Sequence, residues 1–220
     1  MRSLLKFLAP HKTIPMTPWR AEHRWQLSPA RVGILFFGLA IFGLGDSLLV
    51  QGNVGNAPWT VFAQGLSLKT GWELGVSTFV ISVCVLLTWI PLRERPGFGT
   101  LSNILLIATF IQVGISIFPK QNSFATGVLF DLIGITLVGI GSSLYITCGL
   151  GPGPRDGAMT GIHQRTGVRV GRVRLGIEVT VLVIGWLMGG TVGVGTLLFA
   201  LLIGHSIAIS LGIVARLTSR

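Results

Sequence analysis

Residues 149–167 read GLGPGPRDGAMTGIHQRTG, a polar stretch that interrupts the otherwise apolar second half of the chain. Glycines open the stretch, Pro154 stands where a helix can begin, and Thr166 with Gly167 can end a helix there. A segment that crosses a bilayer needs about 20 mostly apolar residues, and this stretch is too polar and too short. It therefore predicts a short helix that starts at a Gly-Pro break.

A second stretch of the same kind lies 96 residues earlier, where residues 52–71 read GNVGNAPWTVFAQGLSLKTG. The same ungapped shift aligns residues 38–111 with residues 134–207, and about a third of the aligned positions are identical. Glycines, prolines and threonines are among the identities, and apolar composition alone would not bring those residues into register. The chain therefore contains an internal repeat.

Around the two stretches lie six apolar segments, each long enough to cross about 30 Å of hydrocarbon. They are residues 30–50, 73–92, 98–118, 126–148, 171–189 and 193–214. Each half of the repeat holds three segments, so the second half must enter the bilayer upside down relative to the first. We predict an all-α integral membrane protein, with six transmembrane helices in a 3+3 inverted repeat and two short interrupted or re-entrant helices.

This fold divides the chain into two membrane repeats with terminal and connecting parts. They are a basic cytoplasmic tail at 1–29, a first three-helix repeat at 30–118, an outer connector at 119–125, a second three-helix repeat at 126–214 and a cytoplasmic C-terminus at 215–220. Ser28 and Pro29 suit the N-cap and the first helical position, so the first span should begin there.

The composition excludes both a soluble domain and a disordered chain. Half of the residues are hydrophobic and 11% are charged, and the mean hydropathy is +0.74. A soluble domain carries about 25% charged residues, and disorder requires low hydrophobicity. The lipid bilayer is therefore the expected surrounding of this chain.

The net charge of +10 is read as an orientation signal. Of the 17 lysines and arginines, all except Lys69 and Lys120 fall in the tail, the second and fourth connections and the C-terminus. Basic loops stay on the cytoplasmic side, so both termini are predicted to be cytoplasmic. Nucleic acid is not predicted as a partner, because no basic stripe with stacking aromatics is present and the chain has a single tyrosine, Tyr145.

No motif points to catalysis or to a cofactor. Cys84 and Cys148 fall within or beside apolar runs and are read as small buried hydrophobes rather than as a disulfide or metal site. The histidines lack metal-ligand spacing, and no phosphate-binding loop occurs. We predict no enzymatic activity, no cofactor and no metal site.

The two Gly-Pro breaks supply most candidate residues for a substrate or ion pathway. The candidates are Gly151, Gly153, Pro154, Arg155 and Asp156 in one break and Pro58, Trp59 and Thr60 in the other. The N-terminus of a short helix offers free N–H groups and a partial positive charge, which suits an anion or a polar group. The breaks either dip into the membrane and line a pathway or lie at the interface as ordinary loops.

Two charged residues of the second repeat have alternative interpretations. Arg155 is expected to meet substrate charge, whereas Asp156 either stabilises the helix N-terminus or contacts the substrate or a coupling ion. Glu178 lies inside the fifth segment, where a carboxylate needs a partner. It either pairs with Arg174, four residues earlier on the same helix face, or acts as a proton or ion acceptor in a cavity.

Two further candidates lie inside the apolar segments. Asp46, in the last turn of the first segment, is expected to lie near the outer interface and to be hydrated there. His205 lies in the middle of the sixth segment, either as a neutral hydrogen-bonded side chain or as part of a proton relay.

Three stretches carry a family resemblance: GPGPRDGAMTG at 151–161, GIEVTVLVIGWLMGGTVGVGTLLFALLIG at 176–204 and GNAPWTVFAQGL at 55–66. They resemble the YczE/YyaS/YitT group of bacterial integral membrane proteins, in particular its YczE-like branch. Thr60 departs from that pattern, which has an aspartate after Pro-Trp. The resemblance implies a multi-pass protein of the bacterial plasma membrane, and it names neither a substrate nor catalytic residues.

Together these observations predict a secondary transporter or channel for a small polar or anionic solute, with its site between the two breaks. One alternative is a non-transporting regulator or assembly factor that holds a cytoplasmic partner through residues 1–29 and 149–174. Another is a substrate-binding membrane subunit of an ATP-driven importer. A homo-oligomer is compatible with each of these functions.

Overall fold

The computed structural model describes residue 10 and residues 13–218 of the chain, and within these residues it contains helices and no strand. The helices, in chain order, are α1 Pro29–Gly52, α2 Pro58–Thr70, α3 Leu74–Leu87, α4 Trp89–Leu92, α5 Phe98–Ile117, α6 Phe124–Thr147, α7 Pro154–Thr166, α8 Val170–Leu187 and α9 Val194–Thr218. The all-α prediction is therefore confirmed for the described residues. Arg2, Lys6, Lys12 and Arg220, which contribute to the orientation signal, lie outside them.

Five helical segments are long and apolar enough to cross a membrane, judged by length and composition. They are Pro29–Gly52, Leu74–Leu92, Phe98–Ile117, Phe124–Thr147 and Val194–Thr218. The remaining predicted span, 171–189, folds as the 18-residue helix α8 but is not among the five. Its sequence includes Arg172, Arg174 and Glu178, and these charges lower its hydropathy.

Helices α2 and α7 are the two short helices that the Gly-Pro breaks predict. Each has 13 residues and begins with its proline, Pro58 or Pro154. Gly71 and Gly167 end them with φ angles of +76° and +69°, the left-handed conformation that glycine adopts without strain. The prediction of two short helices with these limits is confirmed.

Close glycine packing joins the long helices α1 and α6 at the centre of the protein. A Cβ on Gly45 would stand 2.8 Å from the Gly134 carbonyl oxygen, and a Cβ on Gly141 would stand 2.5 Å from the Gly38 carbonyl oxygen. Any larger residue would push the backbones apart, as in other small-residue contacts between membrane helices. Around this pair, α5 packs on α1, α9 packs on α6, and α2 packs on α8.

The outer surface of the helix assembly is apolar. Large apolar side chains are exposed on α5, α8 and α9, among them Leu105, Ile117, Leu187, Leu197 and Leu201. A soluble protein rarely exposes contiguous apolar surface of this kind. The exposed surface fits a lipid bilayer as the surrounding medium.

The described part of the N-terminal tail folds back onto the protein. Thr17 Oγ1 donates to the Thr147 carbonyl oxygen at 3.1 Å, Trp19 Nε1 donates to Thr147 Oγ1 at 3.2 Å, and Ala21 N donates to the Cys148 carbonyl oxygen at 2.9 Å. At its end, the Ser28 side chain accepts from Arg31 N and Pro29 begins α1, as predicted. The tail from Thr17 onward is therefore held by this chain's own residues at the end of α6.

At the other end of the chain, α9 continues beyond the predicted limit. The predicted span ends at residue 214, and the helix runs to Thr218. Residues 215–218 carry no helix-breaking glycine or proline, so the helix extends without interruption from its apolar part. Residues 219 and 220 lie outside the described residues.

Candidate functional site

A cavity of about 290 Å³ lies between the N-termini of the two short helices. Pro58 and Trp59 from α2 line it on one side. Pro154 and Arg155 from α7, with Gly153 just before that helix, line it on the other. We call it the central cavity. Long helices complete its wall and contribute polar side chains, namely Ser82, Asn103, Ser142 and Tyr145.

Arg155 is the main positive group between the two short helices. Its guanidinium carbon lies 4.8 Å from the centroid of the Trp59 ring, a cation–π contact that joins the first turn of α7 to the first turn of α2. Asp46, Asp156 and Glu178 all attract it electrostatically. The guanidinium therefore lies on an aromatic face, and the nearby carboxylates favour its positive charge.

Asp46 lies in the interior, contrary to the expectation that water hydrates it near the outer interface. Its side chain is 3% exposed, and Thr60 Oγ1 lies 2.9 Å from each of its carboxylate oxygens. The first turn of α2 covers this part of α1, and Thr60 replaces the water that would otherwise solvate the carboxylate. Thr60, which departs from the family pattern, is thus the hydrogen-bond donor to Asp46.

Asp156 lies between the central cavity and a second cavity. Tyr145 donates its hydroxyl hydrogen to Asp156 Oδ2 at 3.0 Å. The second cavity, of about 370 Å³, is lined by Tyr145, Ile146 and Asp156 and by residues of the tail and of the break. We call it the vestibule. Its other lining residues are Ile14, Arg20, Arg24, Gly149, Gly151 and Pro152.

Glu178 forms the ion pair that its spacing from Arg174 predicts. Arg174 Nε lies 2.9 Å from Glu178 Oε1, and both residues line the central cavity. The pair is partly exposed, so solvent reduces the attraction between the two charges. Glu178 is therefore paired with Arg174 of its own helix and also lines the cavity.

His205 is the one predicted site residue that the structure places apart from the others. It is exposed on α9, and its Nδ1 lies 3.2 Å from the Leu201 carbonyl oxygen of its own helix. It lines neither of the two cavities. The remaining candidates line the central cavity or the vestibule, except Asp46 and Thr60, which form a buried hydrogen-bonded pair.

Sequence reasoning missed several polar residues of the long helices. Tyr145, Ser142 and Asn103 line the central cavity, and each could have been found as a polar residue in an apolar segment. Asp131, an acid within an apolar segment, was also missed. It is completely buried in α6, and neither of its carboxylate oxygens has a hydrogen-bond partner among the described residues.

The described residues hold no group of three or more His, Cys, Asp or Glu side chains that could bind a metal ion. Both cysteines are free, with Cys84 exposed and Cys148 buried. The expectation of a buried Cys84 is therefore wrong, because its face of α3 points away from the helix packing. The thiols do not form a disulfide.

Comparison with known proteins finds a matching family and bacterial relatives. Residues 29–211 match a family described as a family of unknown function, DUF6198. The chain is 44% identical to an uncharacterized protein of Haemophilus influenzae over 206 residues, which is 94% of each chain. It is 36% identical to the uncharacterized membrane protein YczE of Bacillus subtilis, over 80% of this chain and 83% of that protein.

A third relative is the uncharacterized protein YyaS of Bacillus subtilis, 29% identical over 81% of this chain and 91% of that protein. The resemblance to YczE and YyaS that the motifs indicate is therefore confirmed. No solved structure matches this chain.

Proposed function

We propose that this chain, which belongs to the DUF6198 family of unknown function, is a secondary transporter or channel for a small polar or anionic solute. One observation carries the proposal: the walls of the two cavities share Tyr145, Ile146 and Asp156. A solute in the central cavity would reach the vestibule by passing the hydrogen bond between Tyr145 and Asp156. We take this pair as the gate between the two spaces.

The proposed architecture is a 3+3 inverted repeat with α8 as the sixth span. Two hydrogen bonds support it: Gly99 N donates to the Leu150 carbonyl oxygen at 2.8 Å, and Gly195 N donates to the Val54 carbonyl oxygen at 3.0 Å. Gly195 follows Gly99 by 96 residues, and Leu150 follows Val54 by the same number. A two-fold axis between the halves would produce this exchange of partners.

The glycine contacts between α1 and α6 follow the same exchange. The 96-residue shift turns the contact of Gly38 with Gly141 into the contact of Gly134 with Gly45. Three spans in each half would place this axis in the membrane plane, the arrangement that recurs in secondary transporters. In α8, Arg174 and Glu178 would face the central cavity instead of lipid, which removes the main obstacle to its spanning the bilayer.

Helices α2 and α7 are proposed to dip into the membrane as re-entrant elements. Irregular backbone at membrane depth is tolerated where it lines a cavity, and the breaks before both helices border one of the two cavities. The N-termini of α2 and α7 both point their partial positive charge toward the central cavity. This field favours a solute that carries an anionic or strongly polar group.

The charges around the cavities limit the class of solute. In the central cavity, Arg155 and Arg174 are balanced by Asp156 and Glu178, which disfavours a multiply charged ion. The vestibule carries Arg20 and Arg24, which attract an anionic group at its mouth. A small metabolite with one anionic group and other polar groups fits both spaces. The basic vestibule would face the cytoplasm under the predicted orientation.

Flux measured in proteoliposomes tests the proposal. The purified protein is reconstituted, and uptake and efflux are followed for a panel of small anionic, zwitterionic and neutral polar metabolites. We expect at least one solute to cross faster than in protein-free liposomes and Arg155→Ala to lower that flux at least tenfold. Arg169→Ala, at an exposed position before α8, serves as the matched control.

Two results would contradict these expectations. If no solute of the panel shows protein-dependent flux in either direction, the proposed transport function is contradicted. Flux in Arg155→Ala equal to that of wild type would leave transport in place and remove Arg155 from the binding site.

A further inference from the structure

The strongest feature outside the two cavities is a buried carboxylate at the end of α1. Asp131 on α6 is 0% exposed, and its Oδ1 and Oδ2 both lack a hydrogen-bond partner among the described residues. The ion pair of the described residues joins Arg174 to Glu178 and leaves Asp131 without a cationic side chain. A carboxylate in hydrocarbon is strongly unfavourable unless something compensates its charge.

The surrounding backbone is shaped to admit this carboxylate. A side chain on Gly52, the last residue of α1, would collide with Asp131 Oδ1, and a side chain on Gly195, near the start of α9, would collide with Oδ2. Directly after Gly52 the chain is irregular: Asn53 has a φ angle of +57° and Gly55 has a φ angle of +132°. Two glycines and an irregular segment thus leave space around one acid.

Backbone and side-chain oxygens lie around this space, together with the amide nitrogens of Gly193 and Thr196. The Gly55 carbonyl oxygen lies against Gly195 beside Asp131 Oδ2, and Thr196 Oγ1 stands 2.9 Å from where a Cβ on Gly55 would be. The Gly52 carbonyl oxygen lies against Gly127, one turn before Asp131 on α6. The C-terminal carbonyls of α1 also carry the negative end of its dipole.

The N–H groups of Gly193 and Gly195, at the start of α9, do not bond the carboxylate. Gly193 N donates to Thr196 Oγ1 at 3.2 Å, and Gly195 N donates to the Val54 carbonyl oxygen at 3.0 Å. Both donors are therefore engaged elsewhere, and Asp131 does not act as a helix cap. The partial positive charge at the N-terminus of α9 favours the carboxylate, but no donor or cationic side chain of the described residues pairs with it.

The equivalent junction of the other half shows what this position needs for packing alone. Leu35 and Asp131 lie three residues before the aligned regions 38–111 and 134–207, and the same 96-residue shift relates them. Leu35 is therefore the counterpart of Asp131. Leu35 is 0% exposed as well. At that junction Thr100, the counterpart of Thr196, donates its hydroxyl to the Pro152 carbonyl oxygen at 2.8 Å. An apolar side chain thus completes the same backbone, and the acid is an addition that packing does not require.

We propose that Asp131, the carbonyl oxygens of Gly52 and Gly55 and the hydroxyl of Thr196 form a binding site for a Na⁺ ion. Small hard cations take oxygen ligands from carboxylates, carbonyls and hydroxyls. Irregular backbone and helix C-terminal ends coordinate Na⁺ in membrane transporters of the inverted-repeat type. The site goes beyond the proposed solute pathway, and its occupancy can be measured without a transported solute.

Thermal unfolding of the full-length protein in detergent tests the site. NaCl is titrated against choline chloride at constant ionic strength, with Asp131→Leu and Thr196→Val beside wild type. We expect Na⁺ to raise the melting temperature of wild type in a saturable manner, because a ligand that binds the folded state stabilises it. Asp131→Leu introduces the residue type that Leu35 provides in the other half, so this variant should fold and show no response to Na⁺.

Thr196→Val keeps the carboxylate and removes one ligand, so we expect it to raise the apparent Kd for Na⁺ about tenfold. It provides the test if Asp131→Leu fails to fold. The proposal is overturned if the melting temperature of wild type is the same in Na⁺ and choline, or if Asp131→Leu responds as wild type does. It is also overturned if the stabilisation follows pH alone in choline, which would assign a proton in place of Na⁺.

Discussion

Helices α2 and α7 have the same length and the same limits, yet their first turns carry different chemistry. In α2, Trp59 and Thr60 follow the starting proline, and both are buried. In α7, Arg155 and Asp156 occupy the matching positions, and Asp156 is exposed to two cavities. The repeated sequence explains the shared backbone. The residues that differ between the copies are the ones that give the second copy its charge.

The two halves also differ in where they carry a carboxylate. Asp46 on α1 accepts a hydrogen bond from Thr60, whereas the matching positions in the second half are Ser142 and Asp156. The carboxylate lies on the long helix in one half and on the short helix in the other. One acid is thereby sealed in the interior and the other faces the cavities. The following predictions test whether this difference is functional, from the largest expected effect to the smallest.

The largest effect is expected from making α7 resemble α2 at Gly157, whose counterpart is Val61. A side chain at Gly157 would enter the ring of Trp89, whose Nε1 donates to the Pro154 carbonyl oxygen at 2.9 Å. Gly157→Val should lower the free energy of unfolding by about 3 kcal/mol, because it overpacks a buried contact and breaks this hydrogen bond. Thermal unfolding in detergent measures the change.

Thr160→Val on the same helix is the matched control for Gly157→Val. Thr160 is exposed and bonds its own helix backbone, so its replacement should change stability by at most about 0.5 kcal/mol. Equal stability of the two variants would show that Trp89 does not hold the start of α7.

A second prediction concerns the sealed acid. Thr60→Val keeps the shape of the side chain and removes the hydrogen bond to Asp46, leaving a buried carboxylate without this donor. The free energy of unfolding should fall by about 2 kcal/mol, the range for hydrogen bonds to charged groups. Thr60→Ser, which restores the hydroxyl, should recover most of the loss in the same unfolding measurement. A result in which the Val and Ser variants behave alike would assign the effect to packing.

The third prediction concerns the contact that joins the two first turns. Trp59→Leu removes the aromatic face under the Arg155 guanidinium and should cost about 1 kcal/mol of stability beyond the loss of packing. Trp59→Phe retains a smaller aromatic ring that binds the guanidinium more weakly. Its stability should lie between those of wild type and Trp59→Leu. Thermal unfolding of the three proteins in parallel gives the order, and a Phe variant as unstable as Leu would argue against the cation–π contact.

The extent to which sequence predicts this protein differs between backbone and site. Pro58, Pro154, Gly71 and Gly167 determine where the short helices start and end, because these residues act locally through fixed or left-handed backbone angles. The environment of Asp46 could not be predicted, because it depends on how the first turn of α2 packs onto α1. Thr60 belongs to a different element and approaches Asp46 only after the helices have packed.

The polar residues of the long helices show the same limit. Tyr145 reads as an aromatic residue of an apolar segment, and its hydroxyl gains a partner only because α7 places Asp156 beside it. Asp131 could have been selected as an acid within an apolar segment. Its unpaired oxygens, however, follow from the break after α1 and from the position of α9.

The smallest effect on stability is expected at the gate. Tyr145→Phe removes the hydroxyl that donates to Asp156 Oδ2, and because Asp156 is exposed to the cavities, water can replace the donor. The free energy of unfolding should change by at most about 1 kcal/mol, while passage between the cavities should become easier. Ser142→Cys, in a background without Cys84 and Cys148, reports that passage through its reaction with a membrane-impermeant thiol reagent.

With the reagent on the vestibule side, the labelling rate at position 142 should rise several-fold when Tyr145→Phe is added. Thr166→Cys, exposed at the end of α7, controls for a general change in reagent access on that side and should label at an unchanged rate. If position 142 labels equally fast with and without the hydroxyl, the Tyr145–Asp156 hydrogen bond does not separate the two cavities. The exposed acid of α7 would then differ from the sealed acid of α1 in solvation alone, and the gate would have to be sought elsewhere in the wall that the cavities share.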